Sequence, residues 1–195
     1  MIKSLCVFCG SSPGFDPVHA EAARALGTAL GQAGIDLVYG GGKVGLMGIV
    51  ADAAMAAGVR ATGVIPKALA DLEVAHHGLS ALHVVGSMHE RKAMMFEQAD
   101  AFAVFPGGIG TLEEVVELMS WRRLGLHRKP IVFFNPAGFW EPLFTLLRHT
   151  VEQKLTPPAF METWSAVDEV EALLPAMREQ AESGVPSPPL VIQRM

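Results

Sequence analysis

Short, continuous apolar runs alternate with stretches of helical period along most of the chain, and several of the runs stop at glycine or proline. "SLCVFCG", "IDLVYGGG", "RATGVIP", "ALHVVGS", "DAFAVFPGG" and "KPIVFFN" read as strands. Between them, "PVHAEAARALGTALGQAG" (closed by Gly34), "GIVADAAMAAG", "MHERKAMMFEQA", "TLEEVVELMSWRRLG" and "GFWEPLFTLLRHTVEQK" carry apolar residues at helical spacing. "FMETWSAV" holds a short last strand, and "DEVEALLPAMREQ" a closing helix. "KALADLEVAHHGLS" is less regular and reads as a loop or short helix near the strand ends. A strand that is apolar on both faces must be covered on both faces. The pattern therefore predicts an α/β fold, a doubly wound, Rossmann-like parallel sheet with helices on either side.

A chain of 195 residues suits a single domain. We expect that domain over 1–182, with the Pro/Ser-rich 183–195 as a C-terminal tail. The net charge of −5 argues against a general nucleic-acid binder, which needs a basic stripe. No apolar run reaches the roughly 18 residues of a membrane span. "MIKSLCVFCG" reads as a first strand and not as a signal peptide, so a cytoplasmic location is expected. Cys6 and Cys9 form a C-x-x-C, but on a strand these positions face opposite ways, which predicts two buried, inert thiols. His76, His77 and His89 lack a carboxylate pattern such as H-E-x-x-H, and no metal site is expected.

Ligands of such sheets bind at the carboxyl ends of the strands. Three glycine-rich loops fall on that edge: "CGSSPG" with Ser11, "YGGGKVGLMG" with Gly40, Gly41 and Gly42, and "FPGGIGT" with Gly107, Gly108, Ile109, Gly110 and Thr111. Glycine at a helix mouth lets bare amides approach an anion, and the helix dipole adds positive potential there. The loops are phosphate-cradle candidates; taken alone, each glycine equally serves a tight turn. No loop ends in G-K-[ST], and the first lacks G-x-G-x-x-G. A mononucleotide or sugar phosphate fits better than a dinucleotide.

"SMHE" and "TLEE" both match the S/T-x-x-E capping box. On that reading Ser87 and Thr111 cap two helices, while Glu90 and Glu114 reach back to the cap amides. Glu113 reads as a solvated or structural acid. Arg91 and Lys92 are different, because a cation in a first helical turn opposes the dipole at about 0.3–1 kcal/mol. Such a cation is either aimed at an anion or paired locally.

"SMHERKAMM" followed by "FPGGIGTLEE" resembles the paired signature of the LONELY GUY (LOG) family, the cytokinin riboside 5′-monophosphate phosphoribohydrolases, also described as "possible lysine decarboxylase". "FCGSSPG", "LVYGGGKVGLMG", "GVIP", "SWRRLGLHRKPI" and "FFNPAGFW" resemble further family blocks in the same order, from about residue 5 to about residue 155. The resemblance implies a homodimer or a multiple of one. It also implies a hydrolase that cleaves the N-glycosidic bond of a nucleoside 5′-monophosphate such as AMP or an N6-modified analogue, releasing free base, a cytokinin or adenine, and ribose 5-phosphate. The family's catalytic arginine falls on Arg91 and its catalytic glutamate on Glu114. His19 and Gly86 depart from the commoner tyrosine and aspartate, which bears on base preference and not on the chemistry.

On this reading the glycine loops and Thr111 hold the phosphate, with Lys92 beside them, and Met88 is a candidate contact for the base. Glu114 serves the cationic sugar and Arg91 the departing base. No metal or organic cofactor is required. Two rivals stand beside it. Pyridoxal-phosphate-dependent decarboxylation would need a Schiff-base lysine, for which Lys43, Lys67 and Lys92 offer no clear setting. A non-enzymatic nucleotide sensor on the same fold would not need both Arg91 and Glu114.

Overall fold

The computed structural model describes residues 1–70 and 74–183. The chain runs β1 (Ser4–Phe8), α1 (Pro17–Ala33), β2 (Asp36–Tyr39), α2 (Gly45–Ala56), β3 (Ala61–Pro66), α3 (Lys67–Ala70), β4 (Ala81–Val85), α4 (Met88–Gln98), β5 (Ala101–Val104), α5 (Ile109–Arg123), β6 (Ile131–Phe134), α6 (Glu141–Glu152), β7 (Ser165–Val167) and α7 (Leu173–Ser183). The strands form one sheet in the order β4-β3-β2-β1-β5-β6-β7, and every neighbouring pair is parallel. This is the doubly wound α/β fold that the apolar runs predict. From residue 184 onward, the expected tail lies outside the described residues. No described helix is long and apolar enough to cross a membrane.

The core lies in two layers, one on each face of the sheet. Leu5, Val7, Tyr39 and Phe105 meet α1, α2 and α7 on one side. Cys6, Phe8, Phe102 and Phe133 meet α4, α5 and α6 on the other. Cys6 and Cys9 are free, buried and in opposite layers, as side-chain alternation requires.

Helix α1 has the ends its sequence advertises. The Asp16 carboxylate accepts from the Val18 amide (3.0 Å), Pro17 opens the helix, and Gly34 closes it in the left-handed conformation. Helix α6 starts later than its apolar period suggests. A 3-10 turn over Pro136–Gly138 intervenes, and Asn135 Oδ1 takes the Trp140 amide (2.7 Å), so the regular helix begins only at Glu141. The irregular segment after β3 holds the short α3. Beyond it, Ala75 forms an antiparallel bridge with Gly42, and His76 N–H donates to the Gly41 carbonyl (2.9 Å).

His127 lies buried in the turn after α5. Its Nε2 donates to the Leu118 carbonyl (3.0 Å) while Nδ1 accepts the Lys129 amide (3.2 Å). Both nitrogens are thus satisfied by the neutral ring. Burial pulls its pKa from 6.5 down to about 4, with Arg122 and Lys129 adding to the fall against the Leu118 carbonyl. Below pH 6.5 the unfolded chain binds a proton that the folded chain refuses. Stability is therefore full above pH 6.5 and falls by about 3 kcal/mol as the pH drops towards 4. Urea unfolding across this range should show that slope, and His127→Gln should flatten it; equal slopes would remove the assignment.

Candidate active site

The strand order determines where a ligand can enter. From β1 the chain steps outward through β2, β3 and β4, then crosses back to lay β5 on the other flank of β1. The loops after β1 and β5 therefore leave in opposite directions and open a crevice at the carboxyl edge. Gly10 N–H donates to the Pro106 carbonyl (3.1 Å) and ties the two loops together at its floor. A recess of about 410 Å³ lies over this point, lined in part by Ser11, His19, Gly107, Gly108 and Phe139. The His19 and Phe139 rings meet edge-on at 5.7 Å on its wall.

Helix α5 begins at this crevice. Its cap is Gly108, in extended conformation, which makes no side-chain cap bond. The first regular bond runs from Leu112 N–H to the Gly108 carbonyl (3.1 Å). The amides of Ile109, Gly110 and Thr111 thus have no acceptor within the helix. Thr111 is buried at the third helical position, and a Cβ on Gly107 would stand 2.2 Å from its Oγ1. Only glycine at 107 permits that approach.

This corrects the capping-box reading of "TLEE". Thr111 is not the cap; Gly108 is, and Glu114 sits half-buried in the second turn of α5. The sequence pattern is the same at "SMHE", where the box does form. Ser87 Oγ accepts from the Glu90 amide (3.1 Å), and Glu90 accepts from Gly86 N–H (2.8 Å), one residue ahead of the expected amide.

Arg91 is only 5% exposed, near the start of α4. Its Nη2 donates to the Gly40 carbonyl (3.0 Å), and its Nη1 lies 3.8 Å from the Met88 sulfur. A Cβ on Gly40 would fall 2.1 Å from Nη2. The first glycine of "YGGG" therefore makes room for a guanidinium. Gly41 and Gly42, expected at a phosphate, are buried and engaged by His76 and Ala75. Lys92, expected among ligand contacts, faces α5. Its ammonium binds Glu113 and also Glu117 (2.9 Å). Burial disfavours that charge, but the two carboxylates outweigh it and hold the pKa above its ordinary value. Ser11 and Ile109 are exposed at the crevice, and Met88 is partly exposed beside Arg91.

Two thiols report on the electrostatics. Burial pushes Cys6 and Cys9 up; Glu114 pushes both higher, while Arg91 pulls both down. One carboxylate and one guanidinium, carried by different helices, thus act on the same end of β1. Neither the Gly40 seat of Arg91 nor the Glu113 and Glu117 partners of Lys92 are deducible from local sequence. The glutamate pair at i, i+4 is a signal only once α4 is known to face it.

The other candidate sites resolve structurally. His76 Nδ1 accepts from Gly78 N–H (3.2 Å), so Nε2 carries the proton and donates to Asp52 (2.9 Å). Among the described residues no group of three or more ligating side chains could hold a metal ion. A Schiff-base cofactor does not fit the lysines singled out for it, since Lys43 and Lys67 are exposed and Lys92 is held by two carboxylates.

Fold and crevice together define a Rossmann-type α/β protein with a bare helix mouth and a buried arginine at its topological switch point. The chain belongs to the LOG family of cytokinin riboside 5′-monophosphate phosphoribohydrolases: the family's sequence model, described as "Possible lysine decarboxylase", matches residues 47–177. A cytokinin riboside 5′-monophosphate phosphoribohydrolase of Rhodococcoides fascians is 42% identical over 177 residues, 90% of this chain and 89% of that protein. One from Arabidopsis thaliana is 47% identical over 156 residues, 80% of this chain and 72% of its own length. The solved structure of a molybdenum cofactor binding protein from Rippkaea orientalis shares the fold with a TM-score of 0.70 at 18% identity, covering 92% of this chain and 97% of that one.

Proposed function

We propose that this chain hydrolyses the N-glycosidic bond of adenosine 5′-monophosphates, N6-modified ones included. Water adds its hydroxyl to C1′ of the ribose, and the base leaves with the proton, giving free adenine or cytokinin and ribose 5-phosphate. The family relationship supplies the reaction class. The observation that carries the assignment of residues is geometric: Arg91 is buried and seated on the Gly40 carbonyl after β2, and Glu114 lies in the second turn of α5, the helix that opens at Gly108 on the crevice.

In this mechanism the amides of Ile109, Gly110 and Thr111, at the positive end of α5, hold the 5′-phosphate. That remote binding energy aligns the sugar. As the C1′–N bond stretches, positive charge grows on the ribose, and the Glu114 carboxylate stabilises it and orients the water. The Arg91 guanidinium, fixed by the Gly40 carbonyl, stabilises electron density arriving on the departing base. Every group needed is a side chain or an amide of this chain. A homodimer belongs to the same proposal.

Incubation with AMP and with N6-isopentenyladenosine 5′-monophosphate, followed by chromatography, tests it. Free base and ribose 5-phosphate should appear in equal amounts. Release of inorganic phosphate alone, or no base from either nucleotide, would overturn the assignment.

A further inference from the structure

Arg91 and Glu114 belong to different helices, and their relative placement depends on how α4 lies against α5. Side-chain links between these helices lie at both ends of their contact. Away from the crevice, the Phe96 and Trp121 rings meet edge-on at 5.2 Å. At the crevice end, the Lys92 ammonium lies between Glu113 and Glu117, one helical turn apart on α5. Lys92 directly follows Arg91 in the chain, and Glu113 directly precedes Glu114. The Lys92 side chain is 10% exposed, against 51% for Glu113 and 24% for Glu117. An ion pair so shielded is harder to replace with water than an open surface pair.

Extending the hydrolase reading, on which this inference rests, we propose that Lys92 is a positioning residue: its bridge to Glu113 and Glu117 sets the separation of Arg91 and Glu114. It does not touch the nucleotide. Arg91 donates to the Gly40 carbonyl at the end of β2. Glu114 rides on α5, and the Lys92 bridge ties the neighbouring Glu113 and Glu117 to the arginine's own helix. A lysine with this role governs the rate of bond breaking and leaves substrate binding nearly untouched. A lysine on the phosphate would do the reverse.

Steady-state base release from AMP by Lys92→Met, Lys92→Arg and the Glu113→Gln/Glu117→Gln double variant tests the assignment. Lys92→Met keeps the apolar stem and removes the charge. Its kcat should fall roughly 10- to 100-fold, the scale of a misplacement of about 1 Å, with KM within about 2-fold of wild type. Lys92→Arg should recover most of the rate, because a guanidinium can span two carboxylates. The glutamine double variant should reproduce the Lys92→Met loss, and adding Lys92→Met to it should cost little more. A raised KM at unchanged kcat would place Lys92 on the ligand and overturn the proposal, as would wild-type kinetics. If Lys92→Met does not fold, the glutamine double variant decides by the same kcat and KM criteria. Wild-type protein that releases no base would overturn the hydrolase reading and this inference with it. Active wild type with an unaffected Lys92→Met overturns the inference alone.

Discussion

Glu114→Gln leaves a folded protein whose rate of base release falls roughly 10³-fold. The side chain keeps its size and loses its charge, so the developing ribose cation faces a neutral amide and the attacking water loses its acceptor. Gly108 opens α5 and Glu114 lies in the second turn, so the substitution leaves the helix start intact. Had Thr111 been the cap, the same substitution would have weakened the helix and blurred the result. KM for the nucleotide should move far less than kcat, since the phosphate contacts belong to amides at the helix mouth. Single-turnover release of adenine, with thermal unfolding in parallel, measures both quantities. Turnover near the wild-type rate in a folded variant would remove Glu114 from the mechanism.

The second large effect comes from a residue with no functional group. Gly40→Ala puts a methyl 2.1 Å from Arg91 Nη2 and 3.0 Å from the Met47 sulfur. Both are ends of flexible side chains, and the guanidinium is the one that must leave. It gives up its bond to the Gly40 carbonyl and shifts within a site where about 1 Å costs on the order of 10² in rate. The fold can absorb the change at a cost of about 1–3 kcal/mol. The expected signature is a large fall in kcat with only a modest fall in melting temperature. Unchanged kcat in Gly40→Ala would mean that this seat of Arg91 is irrelevant to the chemistry.

Much of the architecture was legible because it depends on short-range pattern. Runs such as "LCVF" and "AFAVF" are apolar on both faces, and only a parallel sheet covered on both sides satisfies them. Asp16, Pro17 and Gly34 mark the ends of α1 through local backbone chemistry. The candidate catalytic pair was legible through the family signature. Physics along the chain left Arg91 undecided between an anion and a local partner.

What local pattern could not supply was the partner of each polar group. "SMHE" and "TLEE" are alike as strings, yet one caps its helix and the other does not. Gly108 caps the second helix three residues upstream of Thr111, and Thr111 folds against Gly107. Gly40 looked like a phosphate glycine and is a seat for Arg91. Lys92 read as a ligand contact, and its partners on α5 could not be read from the local string.

Sequence alone determined the order of strands and helices, the opposite burial of Cys6 and Cys9, and the glycine-rich edge, because each follows from periodicity and turn chemistry within a few residues. The tertiary structure decided which charge meets which. Arg91 with Gly40 joins positions 51 residues apart, and Lys92 with Glu113 joins positions 21 apart. Only the crossover that lays β5 beside β1 brings α5 to the crevice, and hydrogen bonds across such separations exist only once the sheet has formed.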